Sequence, residues 1–116
     1  MIVSPTTGTD RLVLNGQVAI LLTTRHGGGW STWNWDNGWA LDMMFDPQIA
    51  DIVAAGQEDW PAQAEVVAQI KYPDAYLGGI KNLQVQWIPQ GTDFRITEYD
   101  GLETIEIRDR LDWITA

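Results

Sequence analysis

Residues 82–109 read NLQVQWIPQGTDFRITEYDGLETIEIRD, and the alternation along this stretch decides the fold class. Asp100-Gly101 lies between two β-type runs. Such a pair predicts a two-residue hairpin turn, because both central residues must take positive φ. The turn aligns Phe94 with Ile107, Arg95 with Glu106, Ile96 with Ile105, Thr97 with Thr104 and Glu98 with Glu103. Pro89-Gln90-Gly91-Thr92 predicts a second turn, which sets Trp87 opposite Phe94 and Val85 opposite Ile96. One face of the resulting three-stranded meander collects Leu83, Val85, Trp87, Phe94, Ile96, Ile105 and Ile107. The other collects Gln84, Gln86, Arg95, Thr97, Thr104 and Glu106. One apolar and one polar face imply cover on one side only. Glu98 and Glu103 oppose each other near the turn, where like charges are expected to sit in water, the alternative being a shared proton or cation.

Working toward the N-terminus, RLVLNGQVAILLTT (residues 11–24) carries a second hairpin signal at Asn15-Gly16. It pairs Leu14 with Gln17, Val13 with Val18 and Arg11 with Ile20. Val13, Val18 and Ile20 share one face, and Leu12 and Ala19 the other. Between the hairpins, FDPQIADIVAAG reads as a helix with Asp46 as N-cap, Pro47 in the first turn and Gly56 as the left-handed C-terminal cap. A second helix spans about residues 59–72, with Pro61 in its first turn, Pro73 beyond its end and an apolar stripe of Val66, Val67 and Ile70. The fold expected is an α+β domain. Its antiparallel sheet comprises an N-terminal hairpin and a C-terminal three-stranded meander, with two short helices on one face. Trp113 and Ile114 are expected to dock back on this body, and residues 1–9 to form a loose start.

The chain has 116 residues, 45% hydrophobic and 20% charged, which suits one globular domain over residues 1–116. It has no cysteine, so disulfides and thiolate metal sites are excluded. The formal net charge of −9, with seven scattered basic residues, argues against direct nucleic-acid binding and could steer the protein toward a basic partner. No apolar run is long enough for a membrane span, and no signal-peptide pattern is present, so a cytoplasmic location is expected.

GGGWSTWNWDNGW (residues 27–39) concentrates four of the seven tryptophans with Gly27, Gly28, Gly29 and Gly38. Three uses of this segment are open. Consecutive glycine amides after Arg25 and His26 can cradle an anion, while Trp30 and Trp33 stack on a ring. Alternatively the indoles anchor a partner protein. In the third reading the glycines only let the chain turn beneath indoles that belong to the core. The candidate ligand- or partner-binding residues are therefore Arg25, His26, Gly27, Gly28, Gly29, Trp30, Ser31, Thr32, Trp33 and Asn34.

Catalytic signals are weak. Ser31, His26 and Asp36 are near one another in sequence, but triads are defined by geometry and no nucleophile elbow surrounds Ser31. Asp36, Asn37 and Asp42 lack the spacing of a calcium loop. The glycines lack the Lys-Ser/Thr of a phosphate loop. No cofactor or metal is implied, and the reading leans away from an enzyme. A homo-oligomer through a sheet edge is compatible with strands that carry little Pro or Lys.

Beyond these local signals, RHGGGWSTWNWDNGWALDMMFDPQIADIVAAG together with YLGGIKNLQVQWIPQGTDFRITEYDGLETIEI resembles a group of small bacteriophage and prophage proteins of unassigned function. Their motif combines a Gly-x-Gly-x-Gly-Trp-Ser-Thr-Trp-Asn segment with Phe-Asp-Pro, Tyr-Leu-Gly-Gly and a Tyr-Asp-Gly hairpin. The likeness covers about residues 15–110. The chain departs from it at His26, where Tyr is expected, and at Gly28, where Ala is expected. The resemblance implies a phage setting inside a host cell and no particular activity. On that footing the expectation is a small acidic accessory protein that binds a host protein, with inhibition of a defence component as one such role. The alternatives are a protein that sequesters a small anionic or aromatic ligand such as a nucleotide, and a structural protein whose loop is core.

Overall fold

The computed structural model describes residues 10–107. The loose start over residues 1–9 and the docking of Trp113 and Ile114 fall outside the described residues. Asn15 (φ 53°) and Gly16 (φ 76°) form the first turn. They connect β1 (Val13–Leu14) to β2 (Gln17–Thr23), with Val13 opposite Val18 and Leu14 opposite Gln17, as the turn chemistry predicts. Asp100 (φ 49°) and Gly101 (φ 89°) form the last turn in the same way. The flanking strands, Phe94–Tyr99 and Leu102–Ile107, pair in the expected register from Phe94–Ile107 to Glu98–Glu103.

The meander is corrected. β3 (Leu83–Pro89) does not join the strands that follow it; it runs antiparallel along the whole of β2. Trp87 therefore faces Ala19 rather than Phe94, and Val85 faces Leu21 rather than Ile96. The structure holds one sheet in the order β1-β2-β3 and a separate hairpin of β4 (Phe94–Tyr99) and β5 (Leu102–Ile107). The cause lies in β2. Val18, Ala19, Ile20 and Leu21 are all fully buried, so both faces of this strand need cover and it takes the central position. The turn after β3 is held by Thr92 N–H donating to the Pro89 carbonyl at 3.1 Å, and Gln90 N–H bonds the Gly16 carbonyl at 2.8 Å. This arrangement sends β4 and β5 across the second face of the sheet.

Two cores result, one on each side of β2. Ala19 and Leu21 pack with Trp30, Met43, Ile49, Ala64, Ala68 and Leu83. Val18, Ile20 and Leu22 pack with Met44, Phe45, Ile88 and Phe94, and with Ile96 and Ile105 of the hairpin. A short helix α1 (Ala40–Phe45), which the sequence did not signal, serves both. Its Met43 enters the first core, while Met44 and Phe45 enter the second.

Helix α2 (Pro47–Ala55) is capped as predicted. Asp46 Oδ1 accepts from Ile49 N–H at 2.9 Å, and Gly56 closes the helix at φ 63°. Helix α3 (Trp60–Lys71) follows, and its predicted stripe is corrected. Val66 and Ile70 are 57% and 77% exposed, whereas Ala64 and Ala68 are fully buried. Small residues allow α3 to approach its neighbours closely, and the inward face becomes Ala64, Val67 and Ala68, so that Val67 of the predicted stripe does pack on the core. Asp46 also accepts from Tyr72 Oη at 2.5 Å and pairs with Lys71 Nζ at 3.2 Å, which joins the start of α2 to the end of α3. Burial and the Asp46 carboxylate push the Tyr72 hydroxyl well above its ordinary range, so it stays a donor. No helix among the described residues is long and apolar enough to cross a membrane.

Candidate functional site

The loop over residues 25–39 leaves the end of β2 and meets the tip of the β4–β5 hairpin. Glu103 joins the two. It sits on β5 in phase with Ile105, so its side chain points inward, and it is 3% exposed. Its Oε2 accepts from Trp30 N–H at 2.9 Å, Thr32 N–H at 3.0 Å and Thr32 Oγ1 at 2.5 Å. Its Oε1 accepts from Thr23 N–H at 3.0 Å. The loop thus has an anion cradle of backbone amides, and the anion in it is the chain's own carboxylate. The solvated position expected for Glu103 is corrected. A buried carboxylate is tolerated here because four charge-assisted donors replace its hydration.

Of the loop glycines, Gly27 bonds backbone and Gly28 lies against it. Gly27 N–H donates to the Asp100 carbonyl at 2.6 Å. A Cβ on Gly101 would lie 2.3 Å from the Gly28 nitrogen, and one on Gly79 would lie 2.5 Å from the Gly28 oxygen. Gly28, Gly79 and Gly101 therefore let three chain segments touch through their main chains. Thr23 Oγ1 donates to the Gly101 carbonyl at 2.6 Å and ties β2 into the same junction.

The tryptophans divide. Trp30 is fully buried, and its indole N–H donates to the Met43 carbonyl at 2.8 Å. Asn34, in a single 3-10 turn spanning Thr32–Asn34, is also buried. Its amide donates to the carbonyls of Trp30 and Tyr76 at 2.8 and 2.9 Å, and its Oδ1 accepts from Tyr76 N–H at 2.7 Å. Asn37 Nδ2 donates to that same oxygen at 2.8 Å, which spends Asn37 inside the loop. Trp39 is half-buried, its ring edge-on to Tyr72 with centroids 5.4 Å apart.

Trp33 and Trp35 remain outside, 40% and 60% exposed. The Trp33 ring lies 5.0 Å from that of Tyr76, and its indole N–H donates to Glu98 Oε2 at 3.0 Å. His26 is exposed with Arg25 beside it in the chain. The His26 ring meets Tyr99 edge-on at 5.7 Å, and its Nδ1–H faces the Tyr99 carbonyl at 3.1 Å. The considered trio is not assembled: Ser31 is fully buried, while His26 and Asp36 are exposed. Of the ten predicted residues, Gly28, Gly29, Trp30, Ser31 and Asn34 lie inside, Thr32 is half-buried, and Arg25, His26, Gly27 and Trp33 are on the surface.

Glu98 is held below the ordinary carboxylate range, first by the Trp33 indole N–H and then by the Gly101 N–H at 2.8 Å. A depressed folded value means this contact favours the folded state above the unfolded carboxylate range. That contribution disappears as pH falls through the lowered folded value. In a titration followed by NMR, the Trp33 indole N–H resonance is expected to move with Glu98, at a pH below the ordinary carboxylate range. Trp33→Phe should raise the Glu98 midpoint. An unchanged midpoint in Trp33→Phe would remove the indole as the cause.

Sequence reasoning missed Glu103, Tyr76, Tyr99 and the glycines at 78 and 79. One signal was present for Glu103: a charge in phase with apolar strand positions must either find partners or escape to water. Nothing in the sequence marks Gly79 and Gly101 as neighbours of Gly28. No protein-family model matches the chain, and none of the curated proteins or solved structures compared with it is a match.

Proposed function

We propose that this chain is a non-enzymatic binding protein whose exposed aromatic surface, built from the 25–39 loop and the hairpin tip, docks a partner protein with a basic face. The carrying observation is the division of the aromatics. The fold buries Trp30 completely yet leaves Trp33, Trp35, Tyr76 and Tyr99 at 40%, 60%, 39% and 76% exposure. Trp and Tyr anchor protein interfaces because they bury much area for little lost side-chain entropy. Glu103, Asn34 and the glycine junction hold the surface in place before binding, which reduces the ordering cost of association. Asp36, Asp74, Glu98 and Asp100 are exposed around it. With a net charge of −9, they favour Lys or Arg on the partner through charge and cation–π contacts. In the phage setting that the resemblance implies, the partner belongs to the host, and inhibition of a host defence component is the corresponding role by analogy.

Capture from host lysate with the immobilised protein tests this reading. A stoichiometric partner is expected, released progressively as salt rises from about 0.1 M toward about 1 M, where the screening length falls from about 10 Å to about 3 Å. Trp33→Ala and Tyr99→Ala should each weaken capture about tenfold or more with melting temperature nearly unchanged. Equal capture by both variants, or no stoichiometric partner, would reject the surface as the binding site.

A further inference from the structure

A second feature adjoins the Glu103 cradle, with which it shares Thr32. A cavity of about 580 Å³ opens between the loop, α1 and β4. Its walls are Trp35, Leu41, Met44, Phe94 and Ile96, with Ser31 and Thr32 from the loop. This volume falls in the range of small-molecule sites, which are mostly apolar with a few placed polar groups. Ser31 supplies one such group. It is fully buried, and its Oγ has no hydrogen-bond partner among the described residues. Buried hydroxyls are almost always satisfied, so this one calls for an explanation. Arg95 also lines the cavity. It is 73% exposed, and its ion pair with Glu106 at 2.7 Å is on the surface, where such pairs hold weakly.

From this geometry we infer that the cavity is a binding site for a planar aromatic small molecule, whose single N–H or O–H group bonds Ser31 Oγ. Trp35 and Phe94 supply ring faces and edges for a flat ligand, and the Met44 thioether suits an aromatic edge. A long flexible chain would leave the hydroxyl unmet, and a strongly polar ligand would find only Ser31, Thr32 and Arg95 to replace its water. The site uses different side chains from the partner surface, except that Trp35 borders both, and it does not depend on that reading.

Fluorescence of anilinonaphthalene sulfonate, an aromatic anion that also suits Arg95, provides the test under native conditions. One saturable site is expected, from which indole displaces the dye. N-methylindole, which lacks the N–H, should displace it about fivefold less well, the worth of one hydrogen bond. Ser31→Ala should abolish that preference while still binding the dye. Leu41→Trp fills the cavity and should weaken dye and indole about tenfold or more. Ile96→Trp makes the same test if Leu41→Trp does not fold. The inference is overturned by the absence of saturable, indole-displaced emission, by wild-type affinity in a folded cavity-filled variant, or by an unchanged N-methylindole penalty in Ser31→Ala.

Discussion

Glu103→Ala is expected to lower the unfolding free energy by roughly 3–5 kcal/mol, a large part of the stability of a domain this size. The carboxylate serves the backbone N–H groups of Trp30, Thr32 and Thr23 and the Thr32 hydroxyl. Each buried donor left without an acceptor costs about 1–3 kcal/mol, and water entering the gap recovers part of the sum. Glu103→Gln keeps one acceptor oxygen but turns an NH₂ toward groups that also donate, so it should fall between, at about 2–3 kcal/mol. Urea denaturation measures both. The near-ultraviolet circular dichroism of the indoles should change in Glu103→Ala, because the cradle positions the peptide of Trp30. A loss below about 1 kcal/mol for Glu103→Ala would mean that the loop docks without this carboxylate.

What was legible in the sequence depends on the range of each interaction. Asn15-Gly16, Asp100-Gly101, Asp46-Pro47 and Gly56 act within a few residues, and each turn or cap forms as its chemistry requires. The partner of β3 was not legible. Alternation states which face of a strand is apolar; it does not name the strand that lies beside it, and Leu83, Val85 and Trp87 suit β2 as well as β4. The deciding clue was the doubly apolar run of β2, which required cover on both faces. In α3 the larger apolar residues, Val66 and Ile70, read as the buried stripe, yet Ala64 and Ala68 are inside because a close helix approach selects for small volume.

The structure distributes the loop's residues among several places. Trp30 and Asn34 are core. Its amides do bind a carboxylate, supplied from within the chain by Glu103. Trp33 and Trp35 face outward, where a partner can reach them. Composition could pose these uses but not distribute them among residues, because the distribution depends on β5 and on Tyr76, both far along the chain.

The glycine junction yields the second large effect, and the protein carries its own control. Gly16 and Gly101 hold the same place in two hairpin turns, at φ 76° and 89°. An alanine at either position pays the strain of positive φ, about 1 kcal/mol. At Gly16 nothing lies within 4 Å of the added Cβ, so that strain is the whole cost. At Gly101 the Cβ would lie 2.3 Å from the Gly28 nitrogen and 2.8 Å from its carbonyl carbon. These are main-chain atoms, and no rotamer change moves them aside. The hairpin tip must separate from the loop, straining the Thr23 Oγ1 bond to Gly101 and the Glu103 cradle two residues on. Gly101→Ala should therefore cost roughly 3–4 kcal/mol against about 1 for Gly16→Ala, compared by urea midpoints at equal slope. Because Gly101→Ala and Glu103→Ala break the same docking, the double variant should lose at least about 1 kcal/mol less than the two losses added together. Equal costs at Gly16 and Gly101 would show that the hairpin tip and the loop do not touch; strict additivity would show that the glycine contact and the carboxylate cradle act independently.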